Sequence, residues 1–473
     1  MDGRTDGARP PGGDYGAPIS GEARRPGQAA RRATIALGTE AFVLAVDGAT
    51  PTTIAYRDLS VVSIDHAVGL IAAGEGADAP RWVLERWGAA LGPLMTGLRE
   101  RRLRQRLSDG FVELADEPPL EIVEYALPDA LEQGVAHLVL HPWGLIVAPL
   151  DERHDWIRMR RAGIGAIDAL PAVGGLRIHA DDGAAVVEVL RLGAAAARHR
   201  ASIDALRDSA AVDAGRIVSA LAPDVAFVAR DRAARALVDG RPVEPGALGD
   251  AWPAMEAAVL TEPVFAASYA ALAARSPGPD GRWLALAPES PGSAIPRAWF
   301  LVRLLGNLVA LELVSAGAHA TYCFRARPRA GHPGGETDPA AAAATVGTIS
   351  EALVDARFLR EPIALPDARL ATPEFRRYRL ALAALPSLAA ARAAFVARLV
   401  HRDEATWSAA LDDLVTWHDA CRDDTAAWPG RREQEAAIDA ADAGDGARGG
   451  AAGATAAAAA AGEPAGDMKP LPD

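Results

Sequence analysis

Ten histidines and two cysteines are the residues best suited to metal binding or nucleophilic attack, and their spacing supports neither. His137 and His141 stand four apart, a ligand spacing on a helix, but they fall where the chain reads as strand and loop. His418 and Cys421 form an i, i+3 pair near the end of a helical stretch. Two ligands fall short of the four that a structural zinc site needs, so no metal and no other cofactor is expected. Cys323 and Cys421 make no disulfide framework and fit a reducing compartment. No G-x-S-x-G elbow is present, so no catalytic residue is assigned. Gly163-Ile164-Gly165 lacks the third glycine of a dinucleotide fingerprint, and Lys469, the one lysine, follows no phosphate loop.

The strongest charge feature is Arg99, Arg101, Arg102, Arg104 and Arg106, all within eight residues. On a helix these spread around most of the circumference, and Glu100, Asp109, Glu113, Asp116 and Glu117 can neutralise them locally. Arg99, Arg102 and Arg106 are nevertheless candidates for a partner-binding face. Two aromatics at turns, Tyr56 and Trp143, are candidates for anchoring a peptide in a groove.

Bulk charge narrows the partners. The net charge of −13 argues against a nucleic-acid binder, which needs a basic domain against the phosphates. Arginine richness beside a single lysine reads as genome composition rather than function. The most apolar stretch, Ala298–Ala318, carries Arg303, Asn307 and Glu312, which a membrane span rarely tolerates. The first 32 residues have no apolar signal region, so a cytoplasmic location is expected, with peripheral lipid contact disfavoured.

The elements that must position these residues come from an internal repeat. Thr34–Asp65 lies without gaps on His137–Asp168, with six identical pairs of 32, including Ile54/Ile157, Arg57/Arg160, Ile64/Ile167 and Asp65/Asp168. In both copies apolar runs of three to five residues break at the same places, which is the signal of short strands. Further strand-like runs follow, then Gly88 and Gly193, then helical segments beginning near Ala89 and Ala194. Each copy is predicted to hold about six strands closed by one helix.

Short antiparallel strands followed by one amphipathic helix resemble the pleckstrin-homology-like (PH-like) and GRAM-like domains of bacteria. Thr53–Val62 resembles their I-x-Y-x-D-I-x-x-I turn between strands, and Ile157–Ile164 departs from it by lacking the Tyr and Asp. The resemblance implies a partly open β-barrel capped by a helix. It implies no activity, because the fold hosts lipid, peptide and protein binding alike.

The predicted class is therefore α+β: two PH-like antiparallel β-barrel units each closed by a C-terminal helix, a helical connector, and a third strand-plus-helix module. The boundaries read as a disordered tail at 1–32, units at 33–109 and 110–210, a connector at 211–276, a mixed module at 282–425 and a disordered tail at 428–473. In the mixed module, strands are expected near 283–286, 298–305, 308–314 and 320–326, with a hairpin turn at Gly306-Asn307. Helices are expected over 340–359, 376–399 and 404–421. Strands ending in helices would make this module a third, degenerate copy. The expected role is non-enzymatic binding or scaffolding toward a protein partner. The alternative is a hydrolase- or transferase-like enzyme in the mixed module, where Glu289, Glu312, His319, Tyr322 and Arg325 should converge in a pocket.

Overall fold

The computed structural model describes residues 16–74, 79–112, 121–128, 132–150, 154–304, 308–314, 320–326, 339–401, 403–420 and 428–430. The chain divides into two compact units. Unit 1 comprises Met1–Ala210 and Asp355–Pro386, and unit 2 comprises Ala211–Val354 and Ser387–Asp473.

The first copy in unit 1 has seven strands: β1 (Ile19–Arg24), β2 (Arg31–Leu37), β3 (Ala41–Val46), β4 (Thr52–Ala55), β5 (Leu59–Asp65), β6 (Val68–Ala73) and β7 (Arg81–Glu85). Helix α1 (Leu91–Asp109) follows. The second copy repeats the series: β8 (Glu121–Ala126), β9 (Gln133–His141), β10 (Gly144–Pro149), β11 (Ile157–Arg160), β12 (Ile164–Leu170), β13 (Gly175–Ala180), β14 (Ala185–Leu190) and α2 (Ala196–Leu221), inside which the two units divide. The sheet orders are β4-β3-β2-β1-β7-β6-β5 and β11-β10-β9-β8-β14-β13-β12, position for position the same. All pairings in both sheets are antiparallel.

This topology forces curvature. Strands β4 and β5 are opposite edges of one sheet, yet only the single 3-10 turn Tyr56–Asp58 joins them. Four residues span no more than about 14 Å, whereas six strand spacings would hold the edges of a flat sheet about 29 Å apart. The sheet must curl, and the same holds for β11 and β12 around Arg161–Gly163.

Matched details support duplication better than the sequence identities do. Arg86 and Arg191 both adopt φ 56°. They pair with Glu22 at 3.1 Å and Glu124 at 2.8 Å. Arg102 and Arg207 donate to the carbonyls of Ser60 and Gly165, at 2.9 and 3.1 Å, where each edge strand carries a bulge. The gapless alignment is corrected on one point. The β10–β11 connection is two residues longer than β3–β4, so Ile54 corresponds to Met159 and Tyr56 to Arg161. A two-residue slip keeps every side chain on its own face, which is why the apolar pattern matched despite it.

Each sheet has its own core. Leu91, Leu94, Met95 and Leu98 of α1 close the first around Ile35, Phe42 and Leu84. Ile203 of α2 joins the second around Leu145, Ile178 and Val189. A third cluster joins the copies: Leu103, Leu107 and Val112, at and beyond the end of α1, pack on Val139, Ile146 and Ala148 of β9 and β10. Helix α1 therefore plugs its own sheet with one end and covers the back of the next sheet with the other.

Unit 2 begins with α3 (Phe227–Ala236), α4 (Pro245–Leu248), α5 (Ala251–Val259) and α6 (Pro263–Ala274). Strands β15 (Arg282–Pro288), β16 (Pro296–Arg303), β17 (Leu308–Val314) and β18 (Ala320–Arg325) follow, then α7 (Pro339–Asp355). The excursion into unit 1 carries α8 (Glu361–Ala364), α9 (Asp367–Leu370) and α10 (Arg376–Ala384). The chain ends its described elements with α11 (Pro386–Ala394), β19 (Phe395–Val400) and α12 (Glu404–Ala420).

Several boundaries change. Strand β1 lies inside the expected 1–32 tail, ordered by pairing with both β2 and β7, so each copy has seven strands rather than six. The 211–276 connector is core: Trp252, Met255, Tyr269 and Leu272 pack with Phe300 and Leu284 of the sheet. The 282–425 module loses 355–386 to unit 1. The expected helix over 376–399 divides into α10, α11 and β19, the last strand pairing with β18. The third sheet runs in plain sequence order, β15-β16-β17-β18-β19, so it is not a third copy. Trp428, at the start of the expected C-terminal tail, is buried and donates to Asp413 at 3.0 Å. Gly306-Asn307 and residues 431–473 lie outside the described residues.

Candidate functional site

Three of the expected partner-binding residues are engaged within the fold. Tyr56 is fully buried, donates to the Gly38 carbonyl at 2.9 Å and stacks on Phe42 with centroids 6.0 Å apart. Arg99 donates through Nε to the Val62 carbonyl at 3.0 Å, and Arg102 to Ser60 as above. Both saturate carbonyls of β5, an edge strand that would otherwise offer them for pairing. Burial, with Arg106 nearby, pulls the Arg102 guanidinium down to about 10. Arg106 stays exposed and lies over the Trp156 ring at 4.7 Å.

Trp143 lies elsewhere than at an exposed turn. It is 5% exposed, in the two-residue turn between β9 and β10, and sits in a cluster of cations. The guanidinium carbon of Arg357 lies 4.3 Å from its ring centroid and that of Arg161 lies 5.1 Å away. Arg161 is fully buried, with Nη1 on Ser209 Oγ at 3.3 Å. The register places His141, Gly144 and Arg160 in one row across β9, β10 and β11, with Val139, Ile146 and Arg158 in the next. Both rows are on the back of the sheet, since Leu138, Leu145 and Met159 fill its core. Gly144 has no room for a side chain, because a Cβ would meet the Met159 carbonyl.

The electrostatics of this patch are distinctive. Burial, then Arg158, then Arg357 pull the His141 imidazole down to about 3, so it is neutral at pH 7. Burial also lowers Arg158, partly offset by Asp355. Among the described residues, His141 Nδ1, Trp143 Nε1 and Arg158 Nη1 are shut off from solvent without a hydrogen-bond partner. Such groups are rare in folded proteins; the indole and guanidinium nitrogens call for an acceptor, whereas Nδ1 of the neutral His141 donates or accepts according to its tautomer.

Residues 355–386 supply Arg357 to the patch and otherwise pack near the end of α1. Arg357 donates to the Phe111 carbonyl at 3.3 Å, and Phe111 holds φ 59°. Tyr378 packs on Phe111 at 6.3 Å and on Phe375 at 5.8 Å, while Arg377 covers Phe111 at 4.7 Å. Arg376 pairs with Asp58, the residue that closes the 3-10 turn of the first copy.

The enzyme alternative requires convergence, and among the described residues its members have separate partners. Glu289 pairs with Arg297 at 2.6 Å. Arg325 contacts His418 at 3.2 Å, and Tyr322 packs against Phe395 and Arg398. His319 lies outside the described residues. Glu312 alone enters a polar network, with residues the sequence had not suggested: Thr321 donates to it at 2.7 Å, His401 Nε2 meets Thr321 at 2.8 Å, and His401 Nδ1 meets Ser268 Oγ at 3.2 Å. Trp407 Nε1 also donates to Thr321, at 3.1 Å. Ser268 gives its proton to the Val264 carbonyl at 3.0 Å, so Nδ1 of His401 must be the donor toward it. An imidazole nitrogen that already carries a proton cannot serve as the base for that serine. The network is buried, with Glu312 and Thr321 wholly inside, and Glu312 Oε1 has no hydrogen-bond partner among the described residues.

Nearby, burial and Glu312 push the Cys323 thiol far up, which leaves it unreactive. A small crevice lined by Ala214, Ile217, Val218, Leu237, Leu286 and Pro288 offers one polar residue, Asp239. Among the described residues no group of three or more His, Cys, Asp or Glu could hold a metal, and no helix is long and apolar enough to cross a membrane. No protein-family model matches the chain, and no curated protein matches its sequence.

Proposed function

We propose that the chain is a non-enzymatic binding or scaffolding protein of the cytoplasm, presenting two PH-like modules to a protein partner. The observation that carries this reading is the repeated seven-strand order with a helix after each copy. A sheet whose edge strands are joined by one short turn, and whose core is closed by a helix, has the makings of a partly open barrel of that class. The shared seam along α1 supports presentation of both modules as one body. Separate partners for the candidate catalytic residues weigh against the enzyme reading. Arg99 and Arg102, turned to backbone carbonyls, weigh against a lipid-binding helix face. Purification of the full chain from a native lysate tests the reading. A protein recovered at a fixed, near-equimolar ratio is expected; a bound small molecule with no protein would overturn it.

A further inference from the structure

We propose that β12 takes up an extended peptide segment of a protein partner as an added strand, with a basic residue of that segment set beside Asp168. This rests on the binding-protein reading and names the chemistry of its partner. The two copies treat the same sheet edge differently. Arg99 and Asp204 hold equivalent places, each directly after a core residue of its helix, Leu98 or Ile203, and one turn before Arg102 or Arg207. In the first copy Arg99 caps the Val62 carbonyl. In the second, Asp204 has no proton to donate and turns to Arg207 at 3.0 Å and Arg200 at 3.7 Å. Ile167 is the counterpart of Val62, and among the described residues nothing donates to its carbonyl. Alternate residues of a strand direct their main-chain groups to the same side, so Ile167 and Ala169 both offer N–H and C=O beyond the edge. Ala166, Asp168 and Ala169 are exposed, so this stretch of β12 is open to solvent as it stands.

Charge on the outer face selects the neighbour. Glu188, Arg177 and Asp168 stand side by side on β14, β13 and β12. Arg177 gives Nε and Nη2 to Glu188 at 2.8 and 2.6 Å, which leaves Asp168 with His179 Nε2 at 2.9 Å and 62% of its side chain exposed. On α2, Asp204 and Asp208 are matched by Arg200 and Arg207. Asp181 and Asp182, in the turn after β13, add no cation. The alternation of signs across β14, β13 and β12 is therefore continued by a cation on the next strand. With Ile167 and Ala169 bonded to that strand, Asp168 falls in a non-hydrogen-bonded pair, where facing side chains come closest. A second copy of β12 paired antiparallel about Asp168 would set this carboxylate against itself. Main-chain pairing supplies the affinity of such a complex, and the facing side chain supplies the selectivity.

The test uses the full chain and the fluorescein-labelled peptide Ser-Thr-Val-Arg-Val-Thr-Ser, with binding read by anisotropy and amide hydrogen exchange read at Ile167 and Ala169. The wild type should bind, and exchange at both amides should slow on titration. Asp204→Arg places a guanidinium where the first copy has one, and should weaken binding at least tenfold by capping the Ile167 carbonyl. Methylating the backbone nitrogens of the two peptide valines should abolish binding, because it removes donors to the edge. Asp168→Asn should weaken binding about two- to fivefold, and should make no difference to a peptide with Gln in place of Arg. Arg31→Gln, an exposed change on β2, should leave binding unaltered. No binding at millimolar peptide, or binding indifferent to Asp204→Arg and to N-methylation, would overturn the edge site; recovery of a stoichiometric partner from lysate would still stand. Equal affinity for the Arg and Gln peptides would overturn the basic neighbour. Exchange at Ile167 that slows with protein concentration alone, together with a doubled mass in sedimentation, would overturn the peptide in favour of a second copy.

Discussion

Leu107→Ala probes whether the two copies are one cooperative body. Leu107 is fully buried between Leu103, Val112, Val139, Ile146 and Ala148, so it touches α1 and the back of the second sheet together. Truncation removes three carbons, a transfer loss of about 2.4 kcal/mol at about 0.8 kcal/mol each. The cavity left behind raises the total to about 3 kcal/mol. At about 2–4 °C per kcal/mol for a domain of some 150–250 residues, the Tm of unit 1 should fall by about 6–12 °C. Leu98→Ala, wholly within the first core, should cost a similar amount. The decisive measurement is native-state hydrogen exchange at Ile35 of β2 and Val139 of β9. If α1 couples the sheets, either substitution speeds exchange at both sites. Faster exchange confined to Ile35 for Leu98→Ala and to Val139 for Leu107→Ala would refute the coupling.

Other outcomes follow from single groups. The folded value of His141 lies below its ordinary value near 6.5, so the unfolded chain takes up the proton first. The stability this contributes is complete above about pH 6.5 and is lost as pH falls toward about 3; His141→Gln should flatten that part of a Tm-against-pH curve. Tyr56→Phe should cost only about 1 kcal/mol by urea denaturation, because Arg101 also donates to the Gly38 carbonyl, at 3.2 Å, and keeps it paired. In a Cys421→Ser background, Cys323 should resist iodoacetamide at pH 8 until the protein is unfolded, read by mass spectrometry. Arg207→Met should uncover the Gly165 carbonyl on an edge strand and raise dimer or aggregate content in light scattering.

Strand content was legible because alternation survives small errors of register: Phe42 and Leu145 match, and so do Val62 and Ile167, across an alignment two residues out of step. Strand β1 was hidden because Ile-Ser-Gly-Glu-Ala-Arg has one large apolar residue, and its order comes from two neighbouring strands. Strand β19 was masked by the alanine-rich helix before it. Trp143 was found by residue type, but its setting was not, since Arg357 comes from more than two hundred residues away. Ser268, Thr321 and His401 were missed for the same reason: no local spacing announces a network drawn from a helix, a strand and the residue after another strand. The basic run on α1 looked like a docking face because sequence shows charge but not the carbonyls it meets.

The return of residues 355–386 to the first unit has a consequence for biosynthesis. The ribosome completes both seven-stranded sheets once Ala210 has emerged, but Arg357, Arg376 and Tyr378 are still unmade. At about 5–20 residues per second, the stretch up to Pro386 takes roughly 9–35 s to translate. Through that interval Phe111, Trp143 and Asp58 stand without their later partners, open to whatever chaperone or nascent neighbour meets them. The maturation of unit 1 is thus timed by the translation of most of unit 2.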